Sequence, residues 1–390
     1  LSINLEYSER LKSLPPYIFA EIAAMKREQI RNNVDLISMD VGDPDIPTPQ
    51  LIVDTLIEEV QKPENHKYPA RQGEPDFLKA VADWYEKRFH VEIDPQNQII
   101  NLLGAKEGLV NIARAYTNPG DVILVPNPAY PVYENGATIL NGAIPFFMPL
   151  QEEKKFLPDF DLIPKDIIKK AKLMYLNYPN NPTGAIPTKS FLKEAVHFAD
   201  TNNILLVYDN PYSEFTFDDY IAPSLLEFTS NHVEMNSCSK IFNMTGWRIG
   251  FAAGNPSIIE GLRKIKAQID TGCPKFIQRA AIKGFQEYTG PDKPSIVKDT
   301  IKIYEQRRNV LVEGLNAIGW TTHKPEATFY IWTKSPEPDS MKMCKRLLDI
   351  GVATTPGIGF GRCGEGYIRF ALTEPIKRIK EALDRISTIL

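Results

Sequence analysis

Cysteine is scarce: four residues in 390, at positions 238, 273, 344 and 363, with no CxxC pair. So few, so far apart, cannot staple a chain this long, and the compartment reads as reducing and cytoplasmic. Histidine is nearly as rare, with five residues and no HxxxH spacing, so no protein-built metal site is expected. Neither sign of charge dominates. Lys plus Arg number 45 and Asp plus Glu 49, a formal charge of -4. That balance supports no nucleic-acid partner and no membrane-surface role. Long apolar runs are also missing. The uncharged stretch 135–151 holds glycine, asparagine and proline and is too polar to span a bilayer. The first residues show neither the basic start nor the apolar core of a signal peptide. Internal repeats and low-complexity segments are absent.

What remains is ordinary globular material, 43% apolar and 24% charged, unlike the apolar-poor composition of disordered chains. The length exceeds what one hydrophobic core usually serves, so two units are expected. Residues 18–30 carry helical periodicity, and 36–39 form a short apolar run that ends at the turn signal Gly42-Asp43-Pro44. Helices are expected through 56–60 and over 76–89. In the centre, candidate strands at 99–103, 122–125, 173–176, 204–208 and 249–253 alternate with helical stretches at 105–116, 131–136 and 189–200. Such alternation predicts an α/β fold with a mostly parallel central sheet flanked by helices, whose strand ends line a ligand crevice. Beyond about residue 284 the pattern changes to a long helix at 301–315, strands at 329–333 and 367–372, and helices at 341–349 and 376–387. This reads as a smaller α+β domain. The expected division is 46–294 for the large domain, and 1–45 with 295–390 for the small one.

One lysine stands out. Loop lysines are usually solvated, but Lys240 lies among small hydroxyls and uncharged residues in Ser237-Cys238-Ser239-Lys240, and Arg248 follows just before an apolar strand. Hydroxyls with an arginine suit a phosphate, and a nearby lysine suits a Schiff base with an aldehyde. Gly104-Ala105-Lys106 joins a strand to a helix, where free backbone N–H groups can take an anion. A first-turn lysine such as Lys106 is unfavourable beside the helix dipole unless an anion is there. Arg369 alternates with apolar neighbours in Tyr367-Ile368-Arg369-Phe370 and wants an anionic partner.

Residues 236–250 resemble the cofactor-lysine segment of the fold-type I aminotransferases (class I and II), which use pyridoxal 5′-phosphate. Asn177-Tyr178-Pro179-Asn180-Asn181-Pro182-Thr183-Gly184 and Tyr208-Asp209-Asn210-Pro211-Tyr212 resemble two further motifs of that family, and the likeness runs from Met39 to Leu372. The resemblance implies the fold-type I architecture and a set of roles. Lys240 would hold the cofactor aldehyde and then shuttle the Cα proton. Asp209 would pair with the pyridine nitrogen, Asn181 and Tyr212 would bond the phenolic oxygen, and Tyr130 would stack on the ring. Ala105, Lys106, Ser237, Ser239 and Arg248 would cup the phosphate. Tyr68 would reach the phosphate of a neighbouring subunit, implying a homodimer with shared active sites. Arg369 would clamp the substrate α-carboxylate, with Asn181 beside it and Gly42 closing over the substrate.

Three features depart from typical aspartate aminotransferases. Tyr130 replaces a tryptophan, no aligned second arginine serves a side-chain carboxylate, and Cys238 sits between the two serines. Residues 39–49, 104–108 and 127–133 look closer to the LL-diaminopimelate branch. That likeness implies amino transfer between LL-2,6-diaminopimelate and 2-oxoglutarate, with Glu107, Lys275 and Arg71 as candidates for the distal end of the substrate. The alternatives are an aspartate, alanine or aromatic aminotransferase, a C–S lyase using the same cofactor, and a regulator that binds the cofactor without turnover. The regulator is disfavoured because no basic helix-turn-helix segment precedes residue 40.

Overall fold

A computed structural model describes residues 5–15 and 18–390; positions 1–4 and 16–17 of the expected N-terminal arm lie outside the described residues. The N-terminal part holds α1 (Glu9–Lys12), α2 (Ile18–Arg31), β1 (Ile37–Ser38), α3 (Gln50–Val60) and α4 (Pro75–Phe89). The centre continues through β2 (Ile99–Leu102), α5 (Ala105–Tyr116), β3 (Val122–Asn127), β4 (Ile144–Pro149), α6 (Lys165–Lys170), β5 (Ala171–Asn177), α7 (Lys189–Thr201) and β6 (Leu205–Asp209). It ends with β7 (Val233–Ser237), α8 (Cys238–Ile241), β8 (Gly250–Gly254), α9 (Pro256–Lys266) and α10 (Lys275–Gln286). The rest is α11 (Ser295–Ala317), β9 (Tyr330–Lys334), α12 (Ser340–Asp349), β10 (Val352–Ala353), β11 (Thr355–Pro356), β12 (Tyr367–Ala371) and α13 (Ile376–Ile386).

Seven strands form the central sheet in the order β2-β8-β7-β6-β5-β3-β4. All run parallel except β8, which is antiparallel to both β2 and β7. Both faces are covered, which is why the strands read as near-continuous apolar runs. On one face Ile123, Val125, Leu173, Tyr175, Val207 and Met235 pack on Leu109 and Ile112 of α5 and on Ile258 and Leu262 of α9. On the other, Leu124, Met174, Leu176 and Leu206 meet Leu192, Ala195 and Ala199 of α7. Each such side chain taken out of water contributes about 1.5–3 kcal/mol. A third cluster joins α4, α10, α11 and α13 with β9 and β12.

Three expectations need correction. The strand expected at 249–253 is present, but it runs against its neighbours. Strands β4 and β7 were not expected. β4 is a half-exposed edge strand containing two prolines, tolerated because an edge leaves one row of backbone groups unpaired. β7 reads as polar because Glu234 and Asn236 alternate with apolar residues, yet all five residues are buried. The turn expected to be helical at 131–136 is a π-helix at Tyr133–Thr138.

In the remainder, β11, β12 and β9 form an antiparallel sheet, and β1 pairs in parallel with β10. N-terminal and C-terminal stretches thus share one small layer. Among the described residues no helix is long and apolar enough to cross a membrane, and no group of three or more His, Cys, Asp or Glu could hold a metal ion.

Candidate active site

Sheet topology gathers the chemistry. The C-terminal ends of the parallel strands β5, β6 and β7 lie at one edge and carry Asn177, Asp209 and Ser237. Because β8 runs the opposite way, its start comes to that edge too, with Gly250 opposite Ser237 on one side and Leu102 on the other. Arg248, two residues before β8, therefore meets Leu103 and Gly104, just after β2. The cleft at this edge has a volume of about 930 Å³, a size suited to a cofactor and a small substrate. All the residues expected to hold the cofactor or the substrate α-carboxylate line it, except Tyr68.

Lys240, in α8, is half-buried in the cleft wall, where its Nζ donates to the Gly42 carbonyl at 3.1 Å. Its pKa is pulled down to about 8, chiefly by burial and further by repulsion from Arg248 and Arg369, with Asp43 opposing. A substantial share of the amine is therefore neutral near pH 8, as a nucleophile or base requires. Gly42 has no room for a side chain, since a Cβ there would sit 2.3 Å from the Tyr330 hydroxyl.

Asp209 ends β6 and is 4% exposed. Its Oδ2 accepts from the Tyr133 hydroxyl at 2.6 Å, while its Oδ1 is buried without a partner. Burial raises its pKa to about 7, against the Tyr133 hydrogen bond. Asn177 ties this strand end to the next loop: its Nδ2 donates to the Asp209 carbonyl at 2.8 Å and its Oδ1 accepts from the Asn181 N–H at 2.8 Å. Tyr212 and Tyr330 hydroxyls lie 3.2 Å apart.

Arg369, on β12, is buried under the aromatic faces of Tyr330 and Phe360, with its guanidinium 4.2 and 4.7 Å from their centroids. It donates to Asn181 Oδ1 at 2.9 Å, to the Asp40 carbonyl at 2.9 Å and to Thr355 Oγ1 at 3.4 Å. Its Nε is buried without a partner. Burial lowers its pKa from the ordinary value. Among the described residues no carboxylate meets it, so the anion expected from the sequence has to come from outside the chain.

At the other end, α5 starts at Gly104 with no side-chain cap, so its first N–H groups face the cleft. Gly104 has φ +82°, and a Cβ there would lie 2.6 Å from Arg248 Nη2, so only glycine lets the arginine approach. Arg248 donates to the carbonyls of Thr245 at 2.7 Å and Leu103 at 3.3 Å. Lys106 Nζ stands 5.8 Å from the Tyr130 ring centroid. With Ser237 and Ser239 this is a cationic, donor-rich cup.

Tyr68 is 83% exposed and outside its own chain's cleft. The three candidates for the distal end of the substrate are outside it as well. Glu107 accepts from the buried Lys266 at 2.9 Å, Lys275 faces Glu74 at 4.0 Å, and Arg71 points to solvent. Sequence reasoning missed Tyr133, Tyr330 and the inner face of α2. Tyr133 is three residues after Tyr130, one helical turn away, and that spacing was the available signal.

A lysine and an aspartate lining one cleft at a sheet edge, together with an anion cup and a buried arginine, on this sheet order, define a fold-type I aminotransferase. The chain belongs to the aminotransferase class I and II family, whose model matches residues 34–386. Among its relatives is the LL-diaminopimelate aminotransferase of Moorella thermoacetica, 43% identical over 99% of each chain. The enzyme of the same name from Aquifex aeolicus is 45% identical over 98% of this chain and 99% of the relative. Among solved structures, substrate-bound BacF from Bacillus subtilis superposes with a TM-score of 0.93 at 34% identity, covering 99% of this chain and 98% of that one. Aspartate aminotransferase from Thermus thermophilus with maleate gives 0.91 at 27% identity, covering 99% and 100%.

Proposed function

We propose that the protein transfers an amino group between LL-2,6-diaminopimelate and 2-oxoglutarate, with pyridoxal 5′-phosphate held on Lys240. The observation that carries this is the orphaned Asp209 Oδ1, in the same cleft as a lysine amine whose pKa is about 8. A buried acceptor without a partner costs about 1–3 kcal/mol, and a protonated ring nitrogen would remove that cost. The residues present thus fit the cofactor, on which the family generally depends. The substrate follows the names of the relatives.

When bound, the cofactor supplies an aldehyde for amines and a ring that withdraws electrons from the substrate Cα. The chain does the rest. Asp209 Oδ1 holds the proton on the ring nitrogen. Asn181 Nδ2 and the Tyr212 hydroxyl donate to the phenolic oxygen, and Tyr130 fixes the ring plane. The N–H groups of Ala105 and Lys106, the hydroxyls of Ser237 and Ser239, and Arg248 take the phosphate, joined in a homodimer by the partner's Tyr68. Arg369 takes the substrate α-carboxylate, its idle Nε being one of the donors, and Gly42 leaves room above it. Once the substrate amine has displaced it from the aldehyde carbon, Lys240 Nζ would be free to take the Cα proton and deliver it to that carbon. In this reading the enzyme is cytoplasmic and serves lysine biosynthesis, with 46–294 as the cofactor unit and 1–45 plus 295–390 as the smaller one.

The likeness to aspartate aminotransferase supports a second reading, an aspartate, alanine or aromatic amino acid donor. A half-reaction screen separates them. The loaded enzyme is mixed with single amino acids and its visible absorbance followed. Fast change with LL-2,6-diaminopimelate and slow change with aspartate and phenylalanine is expected; the reverse order overturns the substrate. Pyruvate and ammonia from a sulfur amino acid would mark a lyase.

A further inference from the structure

The cations of the cleft can be sorted by what already occupies them. Arg248 and Lys106 belong to the anion cup, Lys240 to the aldehyde, and Arg369 to the α-carboxylate. Two more come from α2. Ile22, Ala23, Lys26, Arg27 and Ile30 all line the cleft, spaced as one face of a helix. Lys26 is spoken for: its Nζ donates to both carboxylate oxygens of Asp40, at 2.7 and 2.9 Å, with the two side chains 16% and 12% exposed. Arg27 is exposed and makes no hydrogen bond or ion pair among the described residues.

We infer that Arg27 is a specificity residue that takes the distal carboxylate of the substrate, so that the cleft selects amino and oxo acids with a carboxylate at each end. This rests on the reading of the cleft as an aminotransferase site and supplies the second cation for which the sequence offered no aligned arginine. The geometry also couples the two anchors. The Asp40 carboxylate holds α2 through Lys26, while the Asp40 carbonyl accepts from Arg369 Nη2 at 2.9 Å and from Thr355 Oγ1 at 3.0 Å. One residue thus ties the helix bearing Arg27 to the arginine at the other end of the substrate. The planar fork of an arginine suits a carboxylate better than a lysine does. Flanking Ile22 and Ile30 offer the apolar wall that the methylene chain between two such groups needs.

The test uses the loaded enzyme, with glutarate and butyrate as non-reacting probes whose dissociation constants are read from the cofactor absorbance. In Arg27→Gln the glutarate constant should rise about tenfold relative to that of butyrate, as for loss of a hydrogen bond to a charged group, and Arg27→Lys should recover part of it. In turnover, the glutamate-to-alanine ratio of kcat/KM should fall by a similar factor, through the KM for glutamate. An unchanged ratio in both assays, or equal weakening of both probes, overturns the inference. A glutarate preference that is lost in Arg27→Gln, in an enzyme that leaves LL-2,6-diaminopimelate untouched, would instead defeat the proposed substrate while upholding the role of Arg27.

Discussion

Two buried carboxylates stand on neighbouring strands of the central sheet, and burial pushes both up to a pKa of about 7. Glu234, on β7, is fully provided for. Its Oε1 accepts from Tyr85 at 3.0 Å and Asn236 at 2.8 Å, and its Oε2 from the Ser224 hydroxyl at 2.8 Å and the Leu225 N–H at 2.7 Å. Asp209, on β6, has one oxygen held and the other bare. Similarly raised values therefore mean different things. A satisfied buried carboxylate is a structural fastener, here locking β7 to α4 and to the loop before it. A half-satisfied one is a socket for a ligand.

Four experiments break or sharpen this contrast, taken from the largest expected effect. Lys240→Ala should lower turnover by about 10³-fold or more, the scale of a lost general base, with the circular dichroism spectrum kept; full activity in that variant would remove the socket's purpose. Asp209→Asn should cost about 10²–10³ in kcat, as for other groups aimed at developing charge, and should weaken cofactor retention on dialysis. Glu234→Gln should leave the cofactor spectrum in place and should instead lower Tm, by about 1–3 kcal/mol of stability. Tyr133→Phe is subtler. It removes the hydrogen bond that opposes the rise in the Asp209 pKa, so Asp209 should protonate sooner and, as pH is lowered, cofactor affinity should start to fall at a higher pH than in wild type, with about a tenfold loss at the wild-type midpoint.

The same pair predicts a pH signature. Both groups have folded pKa values near 7, above those of the unfolded chain. Between the unfolded values and about 7 the folded state binds more protons, so this contribution to stability is full at acid pH and is lost as pH rises through 7. Cofactor bound at Asp209 should flatten its share, and Glu234→Gln the other. Thermal melts of apoenzyme, loaded enzyme and variant from pH 5 to 8 would show whether the two slopes separate in that way.

Much of the site was legible in the sequence because its parts are local. Lys240 with its serines, the Asn177–Gly184 loop and the Asp209–Tyr212 turn each sit within a few residues, and the alternation of strands and helices places their loops at one edge. The candidates for the distal end lie outside the cleft of their own chain, and Glu107 does so for a long-range reason. Glu107 looks available until Lys266, from a helix far along the chain, takes it. Arg27 escaped notice because a charged residue on an amphipathic helix ordinarily faces water. β7 escaped because its polar residues are sustained by partners from α4 and the Ser224 turn.

Local order along the chain determined the fold class and pointed to the candidate residues of the site, since short motifs and strand–helix periodicity depend on near neighbours. Folding alone decided that an oxygen of Asp209 stays bare, that Arg369 lies between Tyr330 and Phe360 with no carboxylate among the described residues, and that Lys26 and Arg27 of α2 line the cleft. Those facts depend on what segments tens to hundreds of residues apart bring into contact, and burial, which sets the protonation of each group, exists only once they have met.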